Sequence, residues 1–104
     1  MIYEMRTYTV KVGQLQTYLK HFEDVGLPII SKYAQLVGYW YTEIGELNQV
    51  VHIWKYESLD QRKEARKALY NDPEWVEKFL PLGQPLLEKQ ENKIMYAAHF
   101  SPIR

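Results

Sequence analysis

Apolar and polar positions change period several times along the chain, and each change marks an element. Ile2 to Val10 is rich in β-formers and is bounded by Lys11, Val12 and Gly13, which predicts a strand. Leu15, Tyr18, Leu19 and Phe22 then recur at i, i+3, i+4 and i+7, the spacing of one helix face. Gly26 is expected to end or bend that helix. Pro28 then opens a further turn or two, and Ile29, Ile30 and Tyr33 continue the apolar surface. Val37 to Ile44 reads as a second strand, dense in aromatics, Gly45 to Asn48 as a short turn, and Gln49 to Tyr56 as a third strand. Strands joined by so short a loop form an antiparallel hairpin.

Ser58 opens a second helix, with Gln61 placed to complete a capping box and Leu59, Ala65, Ala68 and Leu69 giving a thin apolar stripe. Asn71 and Asp72 break it. Asp72-Pro73-Glu74 restarts a helix, with Asp as N-cap, Pro in the first turn and Glu complementing the dipole. Trp75, Phe79 and Leu80 would anchor this segment, and Trp75 is placed to wall one end of a pocket. Pro81 and Pro85 divide the next stretch into short turns. Lys93 to Phe100 predicts the fourth strand, and Ser101 to Arg104 a tail.

The order strand–helix–strand–strand–helix–strand is that of the split βαβ, or ferredoxin-like, unit. It predicts an α+β fold with a four-stranded antiparallel sheet and both helical blocks on one face. No repeat or linker interrupts the pattern, so residues 1–104 are expected to form a single domain. Side chains alternate along a strand. The apolar pair Val51 and Ile53 is expected to meet the helices, which leaves His52 and Trp54 on the open face. A hairpin loop of two or four residues then sets Tyr39 and Tyr41 opposite Trp54 and His52, with Glu43 on the same side and Trp40 pointing into the core. A three-residue loop would reverse the set. The open face would thus carry Glu4, Arg6, Tyr8, Tyr39, Tyr41, Glu43, His52 and Trp54. A large aromatic and charged surface of this kind calls for a cover. A second copy is the economical one: two sheets face to face make an eight-stranded dimeric barrel, a homodimer with its pocket inside.

Composition changes this picture in a few respects. Nine Tyr, three Trp and three Phe supply the aromatic bodies with polar tips that line cores, interfaces and pockets. Thirteen basic and thirteen acidic side chains balance, without a basic stripe, so nucleic acid is not an expected partner. Without cysteine there is no disulfide, thiolate nucleophile or Cys-based metal site. No apolar run approaches the roughly 18 residues of a membrane span. The start MIYEMRTYTV lacks the basic beginning and long apolar core of a signal peptide. A cytoplasmic location is the expectation.

The strings YEMRTYTVKVGQL, GLPI, GYWYTEIGELNQVVHIWKYESL, DPEW and QENKIM resemble the NIPSNAP family. The resemblance runs from about Tyr3 to Met95 and is most specific over Gly38 to Tyr56. It implies a dimeric α/β barrel and a family of no generally established reaction. Its animal members are associated with mitochondria and with membrane-traffic or scaffold roles; no transit-peptide pattern carries that location over. The wider dimeric barrel superfamily includes cofactor-free monooxygenases acting on polycyclic phenols, haem-degrading enzymes and small isomerases or lyases. These use the cavity between sheet and helices, or within the barrel.

The candidate chemistry centres on His52, whose ordinary pKa lies near neutrality. It is the candidate base, with Glu4 or Glu43 to orient it; the competing reading is a hydrogen-bonded interface histidine. Arg6, two residues from both Glu4 and Tyr8, is the candidate anion clamp through its planar fork, against a salt bridge holding the interface. Tyr8, Tyr39 and Tyr41 would stack on an aromatic ligand or donate a phenol proton, and Trp54 would wall the site; each also suits interface packing. Asn48 suits a turn. The three histidines, His21, His52 and His99, lie on different elements without a second ligand at i+4, so no metal or other cofactor is expected, although a single histidine would suffice for haem. The leading reading is a small-molecule-binding homodimer or cofactor-independent enzyme, monooxygenase- or isomerase-like, taking a small aromatic or anionic ligand. The alternative is a non-enzymatic interaction module whose open face serves only dimerisation.

Overall fold

The computed structural model describes residues 1–104. Strand β1 (Ile2–Val10) is followed by a helical block made of α1 (Leu15–His21), a π-helical turn (Phe22–Gly26) and α2 (Leu27–Ile30). Strands β2 (Gln35–Tyr41) and β3 (Gln49–Tyr56) form the hairpin. The second block is α3 (Leu59–Tyr70), a second π-helical turn (Trp75–Phe79), α4 (Leu80–Gly83) and a short 3₁₀ turn, and β4 (Leu87–Met95) closes the sheet. The strands lie in the order β2-β3-β1-β4, each antiparallel to its neighbours, as the ferredoxin-like unit requires. No helix is long and apolar enough to cross a membrane.

Local signals set most boundaries. Ser58 caps α3, its hydroxyl accepting from the Gln61 N–H at 3.0 Å, while the Gln61 side chain accepts from the Glu57 N–H. Asp72 caps the segment after α3 through the Glu74 N–H at 2.9 Å, and is tied to the first block by Tyr33 at 2.7 Å and Lys32 at 2.9 Å. Gly26 does not stop its helix; the chain passes through a π turn there and continues into α2. What demands glycine is proximity, because a Cβ at Gly26 would sit 2.7 Å from the Phe79 ring.

Two strands differ from the sequence expectation. β2 starts and ends earlier than Val37–Ile44, so the hairpin loop runs over residues 42–48 rather than four residues. Asn48 takes a left-handed φ of 63° in that loop, and its carbonyl accepts from the Val10 N–H at 2.7 Å. β4 starts at Leu87, six residues before the expected Lys93–Phe100 segment, and Tyr96 and Phe100 are exposed. Its run LEKQEN is charged enough to resemble a solvated loop. As an edge strand it needs only one row of partners, and outward charges suit an edge.

The larger correction concerns the faces. β1 and β3 pair Glu4 with Trp54 and Arg6 with His52, and β2 and β3 pair Tyr39 with His52 and Tyr41 with Val50. Tyr39 and Tyr41 thus share a face with His52 and Trp54 as expected, but two residues out of the predicted pairing. That face is the one the helices cover: Glu4, Tyr8, Val50, His52, Trp54 and Tyr56 are buried against Phe22, Leu69, Trp75 and Phe79. Met5, Thr7, Val51 and Ile53 point to the open side, and Trp40 is 53% exposed there instead of lying in the core. The reason is area. Val51 and Ile53 are apolar but small, whereas Tyr8, Trp54 and Tyr56 each bury much more surface. Most of the accompanying polar groups find bonded partners within the layer.

Candidate functional site

Between sheet and helices lies a cavity of about 210 Å³. β1 and β3 supply its floor through Arg6, Tyr8, His52, Trp54 and Tyr56; the first block adds Tyr18 and Phe22; α3 adds Arg66, Leu69 and Tyr70; and the second π turn adds Trp75 and Phe79. A π turn widens the helix locally and re-aims its side chains, and such turns are frequent at functional sites. Here the two π turns face each other with the Phe79 ring close to Gly26 and Gly83, and Phe79 stacks on Trp75 at 4.3 Å and on His21 at 4.9 Å. His21 is therefore half-buried and donates to the Phe79 carbonyl.

The polar floor is a connected cluster. Glu4 is fully buried. Its Oε2 accepts from Arg6 at 3.0 Å, from Asn92 at 2.8 Å and from Arg62 of α3. Burial alone would raise this carboxyl, but the bonds from Arg62 and Asn92 and the Arg6 charge outweigh it and hold the group below the usual glutamate value. Arg6 in turn donates its Nε to the Tyr8 hydroxyl at 2.6 Å. Tyr8 meets the His52 ring edge-on at 4.7 Å, and Tyr39 stacks on that ring at 4.6 Å.

His52 is 3% exposed. Burial, reinforced by the Arg6 charge, pushes its pKa down to about 3, so the ring is neutral at ordinary pH. Its Nδ1 lies 2.6 Å from the Trp54 Nε1, and an indole N–H only donates, so Nδ1 accepts and the ring proton resides on Nε2. That Nε2 is buried with no partner, as is the indole N–H of Trp75.

The structure thus brings Arg6, Tyr8, His52 and Trp54 to one cavity, with Glu4 behind its wall and Tyr39 stacked on the histidine. None of them faces the open side. Tyr41 is half-exposed at the hairpin end and Glu43 lies in the exposed loop, remote from the cluster. Arg62, Arg66 and Asn92 join the site without having been expected from the sequence. The first two carry a legible signal: they sit one turn apart, beside the buried Ala65 and Leu69 of α3. Asn92 carries none, because its stretch of chain reads as a loop. No three His, Asp or Glu side chains converge as a metal site would need.

The sequence profile of the NIPSNAP family matches residues 3–102. The chain belongs to the NIPSNAP family. It is 41% identical over 97 residues to the human Protein NipSnap homolog 3A, covering 92% of this chain and 39% of that one. The chain thus spans about two fifths of the length of the curated relatives it matches. A crystal structure of a NIPSNAP family protein of unknown function from Agrobacterium tumefaciens superposes with a TM-score of 0.96 at 48% identity, covering 100% of this chain and 94% of that one. SnoaB, a cofactor-independent oxygenase from Streptomyces nogalater, shares the fold alone: its TM-score is 0.68 at 16% identity, with 97% and 96% of the two chains covered.

Proposed function

We propose that this NIPSNAP chain binds a small aromatic molecule in the cavity between its sheet and helices, without a resident cofactor. The observation that carries this reading is the pair of unpartnered buried N–H groups, His52 Nε2 and Trp75 Nε1, on residues that line an aromatic-walled cavity. A buried donor without a partner is costly, by roughly 1–3 kcal/mol, and a ligand oxygen relieves it. The chemistry that suits such a lining is stabilisation of an enolate or phenolate oxygen by fixed donors in a dry site. That step is common to cofactor-independent oxygenation and to isomerisation, and the fold shared with SnoaB is in keeping with it. Its sequence position makes His52 a candidate base; with Nδ1 occupied and Nε2 protonated, it suits instead the role of neutral donor.

The test is a nuclear magnetic resonance titration with 2-naphthol, following the indole N–H signals. Trp54 and Trp75 line the cavity, and Trp40 lies on the opposite face as an internal control. Movement of the first two while Trp40 stays in place supports the reading. Movement of Trp40 alone, or of none, ends it.

The open face has its own proposed partner, a second copy of the chain. Met5, Val51, Ile53 and Trp40 form a half-exposed apolar surface there, and Lys89, Glu91 and Lys93 alternate in sign along its β4 edge. Two such faces related by a two-fold axis bury the apolar strip and set unlike charges together. Sedimentation velocity on the wild type and Ile53→Glu distinguishes the outcomes: a dimer that the substitution dissociates supports the proposal, and a wild-type monomer at micromolar concentration removes it. A reducing, cytoplasmic setting accords with the cysteine-free chain.

A further inference from the structure

The polar groups around the cavity share one property, and it bears on the kind of ligand group they recognise. His52 Nε2–H and the Trp75 indole N–H are buried without a partner, on residues that line the cavity. Arg6 uses Nε on Tyr8 and Nη1 on Glu4, leaving Nη2. Tyr8 already accepts from Arg6, so its own proton is free to donate. Arg66 forms no salt bridge and no side-chain hydrogen bond; its guanidinium lies over the Tyr70 ring, 5.5 Å from the centroid. No aspartate or glutamate lines the cavity. The one unpaired carboxylate oxygen nearby, Glu4 Oε1, belongs to a residue behind the wall. Apart from the amides of Gln84 and Gln90 and the hydroxyls of Tyr18, Tyr56 and Tyr70, which accept as well as donate, the side-chain polar lining donates.

Charge points the same way. Glu4 is shared by Arg6 and Arg62, and Arg66 has no acid of its own, so these four side chains together carry a net positive charge. Around them the walls are flat and apolar: Phe22, Trp54, Trp75 and Phe79. The volume is below the roughly 300–1,000 Å³ of drug-sized sites, which limits the ligand to one or two rings. We infer that the cavity takes the anion of a small planar aromatic acid, its rings between the aromatic walls and its carboxylate held by Arg66 together with the free N–H donors of His52 and Trp75. This rests on the binding reading above and adds the head group and the residue that selects it.

The experiment is calorimetric titration of the full chain at about pH 7.5 with 2-naphthoate and with its neutral counterpart 2-naphthalenemethanol. The carboxylate is expected to bind roughly tenfold or more tightly than the alcohol, the scale of a hydrogen bond to a charged group. Arg66→Gln should erase most of that preference. Lys67→Gln, which removes a neighbouring exposed charge that does not line the cavity, should keep the preference. Arg66 is half-exposed and bonds to no other side chain, so the variant should fold, and circular dichroism checks it. If both probes bind equally, or Arg66→Gln preserves the preference, the anion assignment falls and the binding reading stands. If neither probe binds, both fall.

Discussion

His52 offers the sharpest physical test of the buried cluster. Its folded-state pKa is pushed down to about 3, chiefly by burial and then by the Arg6 charge, against the opposing pull of Glu4. In the unfolded chain the same ring titrates near its ordinary value of about 6.5. Below that value the unfolded state binds a proton that the folded state refuses, so stability is full above about pH 6.5 and falls as pH drops toward 3. Between about pH 7.5 and pH 5.0 the loss from this one group is about 2 kcal/mol. That window lies above the range in which ordinary carboxylates titrate. Urea unfolding followed by tryptophan fluorescence, repeated across it for the wild type and His52→Gln, isolates the effect. Glutamine keeps an acceptor for the Trp54 N–H and cannot titrate. The variant should be less stable overall, through imperfect packing against Tyr8 and Tyr39, but should lack the slope. Parallel pH profiles for the two proteins would refute the claim that His52 is buried neutral.

Three other outcomes rest on particular contacts. Gly26→Ala should destabilise by about 1–3 kcal/mol, the cost of overpacking, because its Cβ would meet the Phe79 ring at 2.7 Å; equilibrium unfolding checks it. Arg62→Met removes one of the donors on buried Glu4 and should cost about 1.5–3 kcal/mol at pH 7 in the same assay, with the Glu4 carboxyl shifted upward in a titration followed by nuclear magnetic resonance. Asp72 is held at about 2 by Tyr33, Lys32 and the Glu74 N–H. Its contribution is present above the ordinary aspartate value and is lost as pH falls toward 2, so Asp72→Asn, which can still cap, should flatten the loss of melting temperature between about pH 4 and pH 2.

Element order is legible because the periodic segments are long and their punctuation is strong: Gly13, Ser58 and the Asp72-Pro73 pair sit where the chain changes direction. β4 escapes sequence reasoning because Lys89, Glu91 and Lys93 point outward from an edge strand and mask the inward Leu87 and Ile94. The faces invert for a related reason. Alternation weighs Val51 and Ile53 as the hydrophobic row and treats the Glu4, Arg6 and His52 row as unfit for a helix-covered layer. No rule of alternation reveals that α3 delivers Arg62 to Glu4, or that Trp54 gives His52 a hydrogen bond. Arg6, Tyr8, His52 and Trp54 stay together through the inversion, since they share a row whichever side it faces, whereas Tyr41 and Glu43 do not join them.

That inversion changes what the fold does with its polar residues. On an open face they would meet a second copy, and the pocket would depend on assembly. Under the helices, each chain encloses its own cavity, and the open face is left with an apolar strip of Met5, Trp40, Val51 and Ile53 beside the charged edge of β4. The cavity and the apolar strip thus lie on opposite sides of one sheet. Replacing a buried ionic cluster by apolar groups of the same volume is often neutral or stabilising, so stability alone does not account for burying Glu4 and its arginines. Consistency between pattern and fold is the rule for residues whose only task is packing, and departures from it concentrate at functional sites. The departure here is plainest in the helix-covered row of β1 and β3, where Glu4, Arg6 and His52 lie under the helices beside an aromatic cavity.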